Sequence, residues 1–271
     1  MDTLPFINYL FRLRWKTAIG IIIFTVILST GLSGYAQKET SPPPSKKARS
    51  FHYSTTKYGI PIIRAILRIE ERTGFGNQPV LQLQVSFHSH PAWESIIRVH
   101  NSFTSIMETG TFLPIRYMKA IDQDGLLFRK MNYIQTFVFN FPNHQVMVEQ
   151  NDQEEKQWIT LPTETYDPLA FIARCLLRGD LSPGQDVTIS IFDGVKAKQV
   201  VFQQKTERFR SRLFGIVDTI LLESTKAYLT FNDQEGAMRI WYTHDEKKIP
   251  VSIELDLPIG KFRFELDSID R

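Results

Sequence analysis

Residues 81–87 read Leu-Gln-Leu-Gln-Val-Ser-Phe. Leu81, Leu83, Val85 and Phe87 alternate with Gln82, Gln84 and Ser86, so an extended backbone puts four apolar side chains on one face and three polar ones on the other. Such a strand belongs in a sheet with one dry and one wet face, an arrangement that antiparallel sheets allow and parallel sheets rarely do. Working outward, strand patterns recur at His52–Lys57, Ile63–Arg72, Ile97–Met107, Phe112–Ile121, Leu126–Phe141 and Gln145–Gln150. The second half adds Val187–Phe192, Ala197–Lys205, Ile216–Glu223, Ala227–Asn232, Met238–Thr243, Val251–Leu257 and Lys261–Leu266.

Short breaks separate these runs. Asp193-Gly194 predicts a type I′ hairpin turn, because glycine relieves the positive φ that turn demands. Asp122-Gln-Asp-Gly125, Asp233-Gln-Glu-Gly236, Pro258-Ile-Gly260 and Gly74-Phe-Gly76 predict further turns. One segment has a different period. Asp167 suits an N-cap, Pro168 the first helical position, and Leu169, Ile172, Ala173 and Leu176 recur at helical spacing before Gly179. The expected fold is therefore mainly β: an antiparallel meander curled into a partial barrel or two stacked sheets, with one central helix, Asp167–Arg178, packed against it. A shorter helical turn is expected around Pro91–Ile96.

The N-terminus carries an address. Arg12, Arg14 and Lys16 precede an apolar run from Ala18 to Leu28, and small residues lead to Gly34-Tyr35-Ala36. This order predicts a signal peptide over residues 1–36, cleaved after Ala36, with a retained membrane anchor as the alternative. Residues 37–50, with Pro42-Pro43-Pro44, Lys46, Lys47 and Arg49, read as a disordered linker. A single β-rich domain then covers residues 51–271. The expected location is the periplasm, with attachment to the inner membrane only if the signal segment stays uncleaved. The lone cysteine, Cys175, is far from any leader junction, so neither a lipid-modified cysteine there nor an internal disulfide is expected.

The whole chain has a formal charge of +3. Residues 1–50 hold seven of the 32 Lys/Arg and two of the 29 Asp/Glu, which leaves 25 basic and 27 acidic residues, a net of −2, for the domain. Nucleic acid is therefore not an expected partner.

Four places in order resemble an exported bacterial family catalogued as domain of unknown function 3108. They are Tyr53 to Pro61; Asp167-Pro168-Leu169 through Leu177-Arg178; Leu181-Ser-Pro-Gly184 to Asp193-Gly194; and Ile240-Trp241-Tyr242-Thr243-His-Asp245 leading to Ile249-Pro250-Val251 and Gly260. The resemblance spans Phe51 to Ile269 and implies an exported, mostly antiparallel β protein. It implies no catalytic residue and no cofactor. More loosely, a curved sheet crossed by a helix is similar to lipid-binding folds of the periplasm, a likeness of fold and not of site.

Three constellations are candidate sites. Phe137, Phe139 and Phe141, at two-residue spacing, fill a core or, on an incompletely packed concave face, line an apolar groove for an acyl chain. Arg208, Arg210 and Arg212 alternate along a strand and suit an anionic headgroup, against the commoner role of a solvated hairpin tip. His88 and His90 have the spacing of two metal ligands, to which His52, His100 or Glu94 could add a third, but Pro91 ends the strand at once and histidines at a strand end are usually polar-face residues, so no metal is expected. Cys175 reads as a small buried hydrophobe. Serine-hydrolase signatures are missing. The expected function is a non-catalytic envelope protein that binds a hydrophobic or amphipathic ligand or a partner protein on a curved sheet. The alternatives are an enzyme acting on envelope polymers with carboxylates converging in a cleft, and a structural or assembly protein.

Overall fold

A computed structural model describes residues 48–57, 60–74, 77–126, 130–153, 155–178, 181–225, 229–231, 234–257 and 260–270. The leader and nearly all of the linker lie outside the described residues. The first half of the domain is a run of strands: β1 (Arg49–Lys57), β2 (Ile60–Thr73), β3 (Pro79–Ser89), β4 (Ile97–Glu108), β5 (Pro114–Gly125), β6 (Met131–Asn140), β7 (Gln145–Gln150) and β8 (Gln157–Thr160). A two-residue strand, β9 (Thr165–Tyr166), leads into the helix α1 (Pro168–Arg178). The second half holds β10 (Val187–Phe192), β11 (Ala197–Ser211), β12 (Gly215–Ser224), β13 (Leu229–Phe231), β14 (Gln234–Thr243), β15 (Pro250–Leu257) and β16 (Gly260–Asp270).

Fifteen of these strands follow one hydrogen-bonded path, β8-β7-β6-β5-β4-β3-β2-β1-β16-β15-β14-β12-β11-β10-β9, and β13 pairs with β14 beside it. The two ends of the domain meet in the middle of the sheet, where Ser50 pairs with Asp270 and Phe51 with Ile269. The two edges of the sheet, β8 and β9, are neighbours in the chain. Laid flat, fifteen strands would separate these edges by roughly 65 Å. Thr160 and Thr165 are joined by five peptide steps, which span at most about 19 Å. The sheet therefore curls through most of a turn, as the partial-barrel expectation required.

Alternation decides which side faces in. Tyr53, Leu67, Leu83, Phe137, Phe202, Ile220, Ile240 and Leu266 are buried in one contiguous core. Their strand neighbours point outward, and Gln84 on β3 donates to Ser102 on β4 on the wet face. A small second cluster of Phe209, Leu221, Trp241 and Val251 packs apart from this core.

The helix forms as its sequence predicts and is buried at eight of its eleven residues. Asp167 Oδ1 accepts from the amides of Leu169 (2.8 Å) and Ala170 (3.0 Å), while Oδ2 accepts from Ser105 Oγ of β4 at 2.6 Å. The cap thus also fastens the helix to the wall. Phe171 packs on Phe202 with ring centroids 4.3 Å apart. The helix is also the crossover that lets β9 and β10 pair in parallel, the one departure from an antiparallel sheet among the described pairs.

Two expected turns differ. Asp122-Gln-Asp-Gly125 is strand, the end of β5, because its polar groups find partners there: Arg98 donates to both oxygens of Asp122, and Asn101 Nδ2 donates to Gln123 Oε1 at 2.9 Å. The Asp193-Gly194 connection is a four-residue loop, since Phe192 pairs with Ala197. Asp193 Oδ1 accepts from the amides of Val195 and Lys196, and Gly194 has φ +103°. Gly74-Phe-Gly76, Asp233 and Pro258-Ile259 fall wholly or partly outside the described residues. The short turn at Pro91–Trp93 is a 3-10 helix.

Burial raises the pKa of Asp167 to about 6, against the lowering effect of its hydrogen bonds from Ser105, Ala170 and Leu169 and of the Lys119 charge. An unfolded chain releases this proton near pH 4. Between those values the native state holds more protons, so the contribution of this group to stability falls as pH rises from about 4 through 6. Chemical denaturation across that range should show this slope in the wild type and a flatter one in Asp167→Asn. Asp167→Ala, which also strands Ser105 and two amides, should cost about 2 kcal/mol.

Candidate functional site

The helix leaves part of the interior unfilled. A cavity of about 210 Å³ lies between α1 and the inner face of the sheet. Pro168, Leu169 and Ile172 of α1 form one side. Ile63, Ala65 and Leu67 of β2, with Val85 and Phe87 of β3, form the opposite wall. Phe262 and Phe264 of β16 and Ile253 and Leu255 of β15 continue it. The aromatic edges interlock: Phe87 meets Phe264 edge-on at 5.4 Å and Phe103 at 6.0 Å.

The polar groups of the lining concentrate on β4, β5, β6 and the β10–β11 loop. Asn101, Lys119, Gln123, Tyr133 and Asp193 all border the cavity. Lys119 is the one cation among the described lining residues. Its Nζ donates to the carbonyl oxygen of Asp193 at 2.8 Å and lies over the rings of Phe137 (5.2 Å) and Tyr117 (5.7 Å). Gly194 makes this possible, because a Cβ there would occupy the space of the Lys119 ammonium. The Asp193 carboxylate is committed to the two loop amides and to Lys198 Nζ at 2.8 Å. Burial lowers the pKa of Lys119 to about 8, against the raising effect of Asp193 and Asp167.

The sequence-predicted groups are placed separately. Phe137 and Phe139 are buried in the core, where both meet Phe192 edge-on, and Phe139 stacks with Phe141 of the turn after β6. None of the three is among the cavity-lining residues; Phe137 approaches it only through Lys119. Arg208 and Arg210 are exposed on β11, and Arg212 pairs with Glu265 and Asp267 of β16. His88 is exposed and faces His100 of β4 with ring centroids 5.5 Å apart, whereas His90 caps the 3-10 turn. No group of three or more metal-ligating side chains occurs among the described residues. Cys175 is buried in α1.

Lys119 was not among the sequence-predicted residues, although its signal was present. Tyr117, Lys119, Ile121 and Gln123 share one phase of β5, so the residues that place Tyr117 and Ile121 inside place the lysine there too. Asn101, between Val99 and Phe103 on β4, carries the same signal.

A curled antiparallel sheet wrapped around one helix, with an internal cavity, defines a β-barrel-like protein. The chain belongs to the family described as a protein of unknown function, DUF3108, whose model matches residues 50–267. Among solved structures it is similar to the crystal structure of a beta-barrel-like protein of domain of unknown function DUF1849 from Brucella abortus. The TM-score is 0.51 at 8% sequence identity, covering 82% of this chain and 97% of that chain. That likeness is one of fold. No curated protein matches the chain.

The depressed pKa of Lys119 has a stability signature opposite in sign to that of Asp167. Between about 8 and 10.5 the unfolded chain holds a proton that the folded chain has released, so stability from this group rises with pH across that window. Denaturation of the wild type and of Lys119→Met from pH 7.5 to about 10 should show the difference growing in favour of the wild type.

Proposed function

We propose that this protein is a non-catalytic, exported envelope protein whose barrel holds an amphipathic molecule, with its acyl chain against α1, β2 and β16 and its polar head at Lys119. The observation that carries this reading is the cavity itself: a wall that is apolar over most of its extent, with a single ammonium beside Asn101 and Gln123. Apolar pockets with a few convergent polar groups are the usual form of small-molecule sites. The lone described carboxylate of the lining, Asp193, is already engaged by loop amides and Lys198, which favours binding over hydrolysis by paired acids. The leader pattern of residues 1–36 supports export to the periplasm, where a lipid or lipid-bearing envelope component is the ligand at hand.

Denaturing mass spectrometry of the purified full-length protein should detect a co-purifying lipid, and the delipidated protein should take up a fluorescent fatty acid. Ala65→Phe places a ring into the cavity from β2. It should lower uptake about tenfold or more while leaving the melting temperature within a few degrees, because the added volume enters space that is open. Lys119→Met should weaken a fatty acid about tenfold and the alcohol of equal length far less, since only the acid gains from the ammonium. Absence of both co-purified lipid and probe uptake, with Ala65→Phe strongly destabilised, would mean the interior is a filled core and would sink the reading.

A further inference from the structure

The hairpin of β11 and β12 outgrows its neighbours. Pairing of β11 with β10 stops at Phe202 and pairing of β12 with β14 begins at Thr219, yet β11 and β12 continue together to Ser211 and Gly215. The resulting two-stranded arm is held along its length. Phe209 lies against Trp241 with ring centroids 5.3 Å apart, Trp241 Nε1 donates to Glu207, and Val217 joins the same cluster. Near the tip, Arg212 donates to Ser54 Oγ at 2.8 Å and pairs with Glu265 and Asp267, reaching across to β1 and β16. An arm pinned this way presents its turn in one attitude.

What the turn presents is apolar. Leu213, Phe214 and Ile216 are 40%, 43% and 67% exposed, three large side chains within four residues. Single exposed apolar residues are ordinary, but a cluster at the point of a braced hairpin marks an interaction site. Just behind it the chain is basic, bounded by Glu207 and Asp218. From Arg208 to Val217 the chain has three arginines and no acid. Arg212 is spent on the bracing. Arg208 pairs with Asp218, its cross-strand partner, at 3.7 Å with both side chains largely exposed, a pairing that water and salt weaken.

We propose that this turn is a membrane-docking finger, in which Leu213, Phe214 and Ile216 enter the interfacial region of an anionic bilayer while Arg208 and Arg210 meet its headgroups. The order of the residues favours a bilayer as the occupant. Leu213 and Phe214 lead at the turn, Arg210 and its cross-strand partner Ile216 lie level just behind it, and Arg208 sits two residues further back, about 7 Å along the strand. That is close to the depth, about 5–10 Å, to which interfacial apolar groups are buried while their cationic neighbours stay among the headgroups. Leu213 and Phe214 stand exposed at the end of a two-stranded arm, a form suited to entering a fluid surface. The finger rests on the arm alone and does not require the cavity to hold a ligand.

The test uses the full-length chain with Phe214→Cys carrying an environment-sensitive fluorophore, and Ile134→Cys on β6, also exposed, as the control position. Cys175 is buried and does not compete for the label. Mixed phosphatidylglycerol–phosphatidylcholine vesicles should blue-shift the probe at 214 and leave the probe at 134 unmoved, with little effect of phosphatidylcholine alone. Arg208→Ala/Arg210→Ala should lower the vesicle affinity several-fold, and added salt should do the same. With the label at 214, Leu213→Ser/Ile216→Ser should lower it about tenfold with the melting temperature retained. No shift at 214 with anionic vesicles overturns the proposal. Equal shifts at 214 and 134 also overturn it, since they mean adsorption of the whole chain, and so does a shift at 214 produced only by an added protein. Ala65→Phe should bind vesicles like the wild type, which keeps failure of the finger distinct from failure of the cavity.

Discussion

Residues 161–164 constrain everything else in this domain. They join the last strand of one sheet edge to the first strand of the other, so the fifteen-strand path must bring its own ends together. A sheet with right-handed twist can do this only by coiling, and coiling gives each strand an inside and an outside. The apolar phase of every strand follows from that geometry, with Leu67, Leu83, Ile220 and Ile240 sharing one interior although they come from distant parts of the chain. Glu164, with φ +54°, turns the chain at this junction, and three residues later Asp167 sends it inside. A buried carboxylate at that point is expensive. It is tolerated because two helix amides and Ser105 satisfy it, and because its raised pKa lets it shed part of its charge.

The perimeter sets the filling problem. Eight strands make a barrel that side chains can fill, whereas one of fifteen encloses more than its side chains can reach. One helix of eleven residues supplies part of the volume and lies against β3, β4, β9 and β10. The wall of β2, β15 and β16 faces the remainder, and the cavity opens there. The cavity is thus a product of strand number and helix length, and the inward phase of β5 puts Lys119 on its border.

Much of this was legible in the sequence because it depends on local periodicity. The strand at Leu81–Phe87, the helix after Asp167 and the antiparallel order all follow from patterns within about a dozen residues. The departures come from partners that are far away in the chain. Asp122 and Gln123 read as turn residues, and only Arg98 and Asn101 on the neighbouring strand make them strand. β8 and β9 were not expected; at four and two residues they are too short to show a period, although they define the closure. Phe137 and Phe139 formed a conspicuous stripe, but whether a stripe fills a core or lines a void depends on what stands opposite. Here that is Phe192, from another hairpin.

An unfilled interior raises the question of what fixes strand register where inner side chains face open space. A one-residue slip would invert both faces of a strand, so register must be specified somewhere. On β15 and β16 the inner residues Ile253, Leu255, Phe262 and Phe264 border the cavity. Their outward neighbours compensate. Glu223, Arg239, Glu254 and Arg263 are direct cross-strand partners on β12, β14, β15 and β16, and each is bonded to the next: Arg239 to Glu223 at 2.6 Å, Arg239 to Glu254 at 2.7 Å, and Arg263 to Glu254 at 2.7 Å. Burial alone would raise the pKa of Glu254, but hydrogen bonds from Arg263 and Arg239 hold it below its ordinary value. The Arg263 guanidinium also lies 5.1 Å from the centre of the Trp241 ring. A slip of any one strand would put like charges or apolar groups opposite these, so the outer ladder supplies register where the interior cannot.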